Sequence, residues 1–257
     1  MQKLSSMIGM AVVLCAASQS ASSADDGFKG VDFPSAGGID AHADLYQPKN
    51  RSATLILLFH QAGWSRGEYR EIAPKLVEAG YRVLAVDQRS GGAIRGVSNE
   101  TAKRAVEKAQ PRGYADAYAD LEAALTYARS VLKAKRVVAW GSSYSASLVF
   151  RLAAEHAGEV NAVVAFSPGE YFEKDGGRGY IQSFAKRVKQ PVFVTSSKKE
   201  REQVKPIFDA SPAAQKVLFT PDSNGQHGSR ALWAEWPDHD AYWIAVREFL
   251  KSVAPPS

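Results

Sequence analysis

Six short apolar runs, separated by longer stretches of helical character, constrain the fold of this chain more than any other feature. Continuous runs of this kind, rich in Val, Leu, Ile and Phe, are typical of strands buried on both faces of a parallel sheet. Strands that alternate with helices form right-handed crossovers, which place helices on both faces of that sheet. The runs occupy residues 54–60, 81–87, 136–140, 161–166, 191–195 and 216–220.

The segments outside these runs fit the same architecture. Residues 31–47 are interrupted by a Gly-Gly pair, which predicts an antiparallel hairpin at one edge of the sheet. Residues 68–79 and 115–132 show helical patterns, and no repeat, low-complexity tract or linker divides the sequence. We therefore predict one α/β domain over residues 25–257, with a mostly parallel central sheet and helices on both faces.

The N-terminal segment differs from the rest of the chain. Lys3 precedes an apolar run over residues 7–17, and small residues follow up to Ala24. This pattern is typical of a signal peptide, because the run is shorter than the roughly 20 apolar residues that span a bilayer. We predict a signal peptide over residues 1–24, export to the periplasm or beyond, and no membrane span in the mature chain. A buried helix or a membrane anchor is the alternative.

The composition excludes several classes of function. Cys15, the single cysteine, lies in the predicted signal peptide, so the mature chain is expected to have no thiol for catalysis, a disulfide or a metal site. The net charge is +5, but the Lys and Arg residues are interspersed with acidic residues. The densest basic stretch, residues 186–205, also contains glutamates. Such a stretch is typical of a solvated surface, and we expect no nucleic-acid partner. The oligomeric state stays open.

The turn after the third apolar run carries a candidate nucleophile. Residues 141–145, with the sequence GSSYS, follow this run directly and precede a helical stretch. A strand, a tight turn and a helix around G-x-S-x-small place the central serine, Ser143, on a strained turn above the edge of the sheet. The flanking positions must be small because larger side chains would collide with neighbouring backbone. A serine-rich helix cap without catalytic function is the alternative.

His227 is the candidate base among the five histidines. When a serine nucleophile lies on such a turn, the acid and then the histidine follow it along the chain. His227 lies in a polar loop directly after the last apolar run, where an imidazole can approach the serine. His156 and His239 also follow Ser143, but both lie in helical stretches away from the turn. A merely exposed loop histidine is the alternative.

Two backbone N–H groups are candidates for an oxyanion hole. Tyr144 N–H follows the serine at the start of a helix, and Ala62 N–H lies in the turn His60-Gln61-Ala62-Gly63. Losing one such donor typically costs about 2.7–4 kcal/mol of transition-state stabilisation. We expect His60 itself to hold the turn by hydrogen bonds.

Together these motifs resemble those of the α/β-hydrolase superfamily, in particular its small serine esterases and its members similar to dienelactone hydrolases. The resemblance covers residues 54–250 and rests on the turns at His60 and at 87–91, the serine turn and the loop at His227. It implies acyl transfer without a metal or cofactor. Dienelactone hydrolases have cysteine where this chain has Ser143, which argues against that particular activity.

The acid departs from the superfamily's usual pattern. The acid usually lies just after the strand predicted here at 191–195, but the first carboxylate in this chain is Glu200. We predict that Glu200 orients His227, and a place in the first turn of a helix is its alternative role. Glu170 is the second candidate, because some lipases have their acid after the preceding strand. Asp209 and Asp222 are further candidates.

The sequence therefore predicts a serine hydrolase that cleaves a small ester, thioester or lactone through an acyl-enzyme. Residues 167–190 leave room for a short helix over the site but not for a large lid. A non-catalytic binding protein of this fold, motivated by the irregular acid, and a serine peptidase for short peptides are the alternatives. Candidate pocket-lining aromatic residues are Trp64, Tyr171, Phe172 and Tyr180.

Overall fold

The computed structural model describes residues 27–49 and 53–256. The signal peptide predicted over residues 1–24 lies outside the described residues, so this segment and the export that depends on it stay predictions. Within the described ranges, no helix has the length and apolar character needed to cross a membrane.

An eight-stranded sheet forms the centre of the described chain, and a small two-stranded hairpin accompanies it. The strands, numbered along the chain, are β1 (Phe28–Pro34), β2 (Asp40–Tyr46), β3 (Thr54–Phe59), β4 (Arg82–Val86), β5 (Ala93–Ile94), β6 (Val97–Ser98), β7 (Arg136–Ser142), β8 (Ala162–Phe166), β9 (Val192–Thr195) and β10 (Lys216–Phe219).

The strand order of the large sheet is β1-β2-β4-β3-β7-β8-β9-β10, while β5 and β6 form the small hairpin. The β1–β2 and β2–β4 pairs are antiparallel, and the remaining pairs of the large sheet are parallel. The six predicted apolar runs are therefore the parallel strands, and the hairpin predicted over residues 31–47 is the antiparallel edge. The predicted fold class is confirmed.

Helices connect the strands and cover the sheet. They are α1 (Ile72–Glu78), α2 (Glu100–Glu107), α3 (Tyr118–Ser130), α4 (Tyr144–Glu155), α5 (Glu173–Gly176), α6 (Tyr180–Ala185), α7 (Arg201–Ala210) and α8 (His239–Val253). Short 3-10 helices lie at Arg66–Tyr69, Lys198–Glu200 and Ser229–Leu232.

Alternate side chains of each buried strand enter two separate hydrophobic clusters. In β3, Leu55 and Leu57 belong to the cluster that contains residues of α3, α4, α6 and α7, whereas Ile56 and Leu58 belong to the cluster with α1 and α8. This alternation follows from the two-residue period of a strand. Because both faces are covered, each strand needs apolar residues on both sides, which explains the continuous apolar runs.

The helix predicted over residues 68–79 is shorter than expected. The chain instead forms the 3-10 helix Arg66–Tyr69 and starts α1 at Ile72. Pro74 explains the difference, because proline has no N–H and is tolerated in the first turn of a helix but disrupts its interior. The interruption leaves Glu68 outside α1, with its side chain buried under the carboxyl edge of the sheet.

That carboxyl edge gathers the residues of interest. His60 follows β3, Ser143 follows β7, Ser167 follows β8, Glu200 lies beyond β9 and His227 lies beyond β10. Parallel strands end at the same edge, so residues far apart in sequence meet there, as is usual for ligand sites in open α/β sheets.

Candidate active site

Ser143 lies on a sharp turn between β7 and α4. Its backbone has φ 58° and ψ −123°, a conformation that residues other than glycine rarely adopt. The Ser143 N–H donates to Phe166 O at 2.8 Å, which ties the turn to β8. A Cβ on Gly141 would lie 2.3 Å from Ser145 O, so glycine is required two residues before the serine. The strained turn predicted from the sequence is present.

Ser145 occupies a position where members of the superfamily commonly have glycine, and the structure accounts for its side chain. The Ser145 hydroxyl is buried and donates to His60 O at 2.7 Å, while the amide of Gln88 donates to it. This pair of hydrogen bonds connects the start of α4 with the turn that follows β3. The small polar side chain is therefore accommodated by its contacts.

The structure brings Ser143, His227 and Glu200 into one line of hydrogen bonds. The Ser143 hydroxyl lies 2.8 Å from Nε2 of His227, and Nδ1 of the same ring is hydrogen-bonded to Oε1 of Glu200. A carboxylate can only accept, so Nδ1 carries the proton and Nε2 is free to accept from the serine. The three side chains thus have the geometry that removes a proton from a serine hydroxyl.

Glu200 is held from several sides. Its Oε2 accepts from the Ser197 N–H at 3.1 Å, from the Ser197 hydroxyl at 2.8 Å and from the Ser167 hydroxyl at 2.9 Å. Burial alone would raise the pKa of Glu200, but His227 and these hydroxyls outweigh it and lower the pKa to about 2. Glu200 also completes a capping box with Ser197, so both roles considered from the sequence are present.

The other candidate acids have different partners. Both oxygens of Glu170 accept backbone N–H groups, from Ile181 and Gln182, each at 2.9 Å. Glu170 therefore caps the start of α6 rather than contacting His227. Asp209 pairs with Lys205, and Asp222 is exposed.

The predicted oxyanion donors lie in turns that the structure holds firmly. Neither the Ala62 N–H nor the Tyr144 N–H donates to another described residue. His60 is fully buried; its Nε2 accepts from the Gln88 N–H at 3.0 Å, and its Nδ1 lies 2.8 Å from Gln61 O. Burial lowers the pKa of His60 to about 4, so the ring is neutral near pH 7 and holds the turn.

The four candidate aromatic residues have different surroundings. Tyr171 is 41% exposed, and its hydroxyl donates to Ser167 O at 3.2 Å. Burial raises the pKa of Tyr171, and the nearby side chain of Ser143 partly offsets this rise. Phe172 is buried in the core, Tyr180 packs against it, and Trp64 stacks on Trp233. Tyr171 is therefore the candidate placed beside the serine.

Three residues near the site were missed from the sequence. Tyr114 stacks on the Tyr144 ring with centroids 4.7 Å apart and remains 41% exposed. Ser167 has φ 57°, and its hydroxyl joins Glu200 to the Gly228 N–H. Glu68 is fully buried beneath the site. A serine just after a strand was a usable signal for Ser167, but nothing in the pattern marks Glu68 as buried.

Metal-ligating side chains do not cluster in the described part of the chain. No group of three or more His, Cys, Asp or Glu side chains in residues 27–49 and 53–256 is arranged to hold a metal ion.

Comparison with known proteins gives one family and a large set of similar folds. The family described as serine aminopeptidase, S33, matches residues 50–217, a range that contains Ser143 and Glu200 and ends before His227. Among curated proteins, no sequence matches the chain.

Similar solved structures include an esterase of Pyrococcus furiosus, which is 20% identical, with 88% of this chain and 92% of that chain covered and a TM-score of 0.69. A dienelactone hydrolase of Anabaena variabilis is 16% identical over 88% of this chain and 97% of its own, with a TM-score of 0.68. Est1E of Butyrivibrio proteoclasticus with ferulic acid bound is 16% identical over 87% and 98%, with a TM-score of 0.66. At these identities the likeness shows the fold.

Proposed function

Because this chain belongs to the hydrolase family described as serine aminopeptidase, S33, within the α/β-hydrolase superfamily, we propose that it hydrolyses small esters through an acyl-enzyme on Ser143. The observation that carries the proposal is the continuous hydrogen-bonded line from the Ser143 hydroxyl through His227 to Glu200. The irregular acid position that motivated a non-catalytic role is compatible with catalysis, since Glu200 reaches the imidazole.

In the first step, Nε2 of His227 takes the proton of the Ser143 hydroxyl as its oxygen attacks the ester carbonyl carbon. The imidazolium that forms lies against the ionised Glu200, which stabilises its charge. His227 then gives the proton to the leaving alkoxide, and the acyl group stays on Ser143. A water molecule, deprotonated by His227 in the same way, releases the acid and restores the serine.

The carbonyl oxygen becomes negatively charged during each attack. We assign its stabilisation to the Ala62 and Tyr144 N–H groups, which make no hydrogen bond to other described residues. Tyr144 is the first residue of α4, so its N–H also lies at the positive end of the helix dipole. Fixed donors of this kind act without reorganisation at the moment of reaction.

Two features favour an ester over a peptide with a free N-terminus. One oxygen of Glu200 is hydrogen-bonded to His227, and the other accepts from Ser167 and Ser197. Glu200 is therefore not available to bind an ammonium group. The exposed Tyr171 beside Ser143 offers an apolar ring and a hydroxyl instead, and the similar structures include proteins named as esterases.

The peptidase alternative deserves a direct comparison because the family description names an aminopeptidase. Purified protein should be assayed with p-nitrophenyl acetate and with aminoacyl naphthylamides, in the wild type and in the Ser143→Ala variant. We expect ester hydrolysis that Ser143→Ala reduces by at least about 10³-fold. Ser147→Ala is the matched control, since Ser147 lies on the same helix and its hydroxyl binds Gly169 O away from the imidazole.

Each result of this assay has a clear meaning. Faster turnover of the naphthylamides than of the ester would replace the esterase with a peptidase. Equal ester hydrolysis by wild type and Ser143→Ala would show that Ser143 is not the nucleophile.

We also propose export, on the basis of the signal-peptide pattern in residues 1–24. N-terminal sequencing of protein from its native host should find a start near Asp25 in a non-cytoplasmic fraction. A cytoplasmic species that retains Met1 or Gln2 would contradict this.

A further inference from the structure

A second glutamate lies beneath the candidate site and has no part in the proton transfers above. Glu68, in the 3-10 helix Arg66–Tyr69, is 0% exposed. Its backbone oxygen accepts from the indole N–H of Trp233 at 2.9 Å, which fixes the main chain as well as the side chain. A fully buried carboxyl group is costly unless its oxygens are hydrogen-bonded.

The two carboxyl oxygens of Glu68 contact two different turns of the site. Oε2 accepts from the Gln61 N–H at 2.8 Å, directly before the proposed oxyanion donor Ala62. Oε1 lies 2.7 Å from the hydroxyl of Ser142, directly before Ser143. One side chain thus connects the turn after β3 with the serine turn after β7.

Ser142 extends this connection to the histidine loop. Its hydroxyl oxygen accepts from the Ser229 N–H at 2.9 Å, two residues after His227. Between them, a Cβ on Gly228 would lie 2.5 Å from Ser142 Oγ and 2.7 Å from Gln61 Oε1. The three turns therefore meet in contact at this point, directly above Glu68.

We propose that Glu68 is a positioning residue that holds the Ala62 turn, the serine turn and the His227 loop in their relative positions. This role rests on the proposed function, because the relative positions of the turns affect catalysis only if the turns carry the oxyanion donors, the nucleophile and the base. A displacement of about 1 Å in a reacting group can lower a rate by about 10²-fold. The loss is therefore expected in kcat, while KM for a small ester changes little.

Substitution of Glu68 by glutamine or by leucine distinguishes a role in positioning the turns from a role of the negative charge. Glutamine at position 68 can accept from the Gln61 N–H with its oxygen and donate to Ser142 Oγ with its amide, so both connections persist. Leucine has a similar volume but can form neither. Ser142→Ala removes the hydroxyl that joins Glu68 to the Ser229 N–H, with a smaller change in packing, and it leaves the bond between Glu68 and the Gln61 N–H in place.

The experiment measures kcat and KM for p-nitrophenyl acetate, with kcat calculated per active site from titration with a fluorophosphonate. Amide exchange is measured by NMR on the same proteins. Glu68→Leu should lower kcat by at least about ten-fold with KM within about three-fold, and Ser142→Ala should lower kcat several-fold. Glu68→Gln should restore kcat to within about three-fold of wild type. Asp120→Asn is the matched control, since Asp120 is equally buried but binds Arg89 and Ser35.

Amide exchange gives a readout that does not depend on catalysis. In Glu68→Leu the Gln61 amide should exchange at least about ten-fold faster than in wild type, and in Ser142→Ala the Ser229 amide should do so. The Ser143 amide, which donates to Phe166 O, should be unchanged in both variants. If Glu68→Leu does not fold, Ser142→Ala decides through the same measurements.

The outcomes separate this inference from the proposed function. Wild-type kcat per titrated site and unchanged Gln61 and Ser229 exchange would overturn the positioning role, as would an equal kcat loss in Asp120→Asn. A wild-type protein without ester hydrolysis would refute the proposed function, and the exchange data would still decide whether Glu68 holds the turns.

Discussion

Two glutamates of the same site, Glu200 at its rim and Glu68 in its floor, have opposite environments. Glu200 lies against an imidazole and three hydrogen-bond donors, which together lower its pKa to about 2 despite partial burial. Glu68 is fully buried, and burial raises its pKa to about 7 even though Ser142 and the Gln61 N–H donate to it. The difference lies in the partners and in solvent, since the side chains are identical.

The contrast indicates how the two carboxyl groups divide the work of the site. Glu200 is ionised at every pH at which the protein is expected to act, so it can stabilise the imidazolium. Glu68, with its raised pKa, changes between its protonated and ionised forms near neutral pH. Both forms can keep contact with the turn after β3 and with Ser142. We therefore expect catalysis to depend on the charge of Glu200 at the rim and on the hydrogen-bonding shape of Glu68 in the floor.

The largest expected effect comes from removing the charge at the rim. Glu200→Gln should lower kcat by between about 10²- and 10⁴-fold with little change in KM, because the contact with His227 strengthens in the transition state. Steady-state kinetics with p-nitrophenyl acetate measure this. Glu170→Gln is the control and should stay within about three-fold of wild type, since Glu170 caps α6. The reverse ranking would move the acid to Glu170.

Glu68, in the floor, is expected to change how the stability of the protein depends on pH. An unfolded chain releases the Glu68 proton near pH 4.5, whereas the folded protein retains it up to about 7. Between these values the folded state binds more protons, so this group makes the free energy of unfolding fall as pH rises. The fall should be on the order of 3 kcal/mol between pH 4.5 and 7, and absent from Glu68→Gln.

Denaturant unfolding of both proteins across that range measures this difference. Arg230 acts on Glu68 through its charge and is retained in Glu68→Gln, so the two proteins differ only at position 68. Parallel curves for wild type and Glu68→Gln would contradict a raised pKa in the floor.

The smallest effect on kcat is expected from changing Ser167, which connects Glu200 at the rim with the His227 loop. The Ser167 hydroxyl donates to Glu200 and accepts from the Gly228 N–H at 3.0 Å. Ser167→Ala removes both bonds but leaves Ser197 on the carboxylate, so kcat should fall by about three- to ten-fold. Unchanged kcat would show that Ser197 and His227 suffice to hold Glu200, and a loss as large as that of Glu200→Gln would make Ser167 the main support of the acid.

The rim and the floor of the site also differ in how well the sequence predicts them. The spacing of apolar runs predicted the parallel strands, and the motifs around Ser143 and His227 identified the side chains that the fold then brings together. Local patterns suffice there because a strand, a turn and a helix are each encoded by neighbouring residues. Glu200 was predicted with Glu170 still open, since loop length decides which carboxylate reaches the ring.

Glu68 could not be predicted from the sequence, because its burial depends on contacts with residues far along the chain. The contacts of its side chain come from the turn after β3 and from β7, and Trp233 holds its backbone. The sequence pattern placed it inside a helix over residues 68–79, whereas Pro74 confines α1 to a later start. A charged residue in an amphipathic pattern normally indicates a solvated face, and tertiary structure reverses that expectation here.

The site of reaction with a fluorophosphonate tests whether Ser143 is a nucleophile activated by His227. Intact mass spectrometry of the treated wild type should show one added label per molecule, and peptide mapping should locate it on Ser143. His227→Ala should react at least about 10²-fold more slowly, and Ser143→Ala should remain unlabelled. A label on another residue, or equal labelling of Ser143→Ala, would show that Ser143 is not the nucleophile.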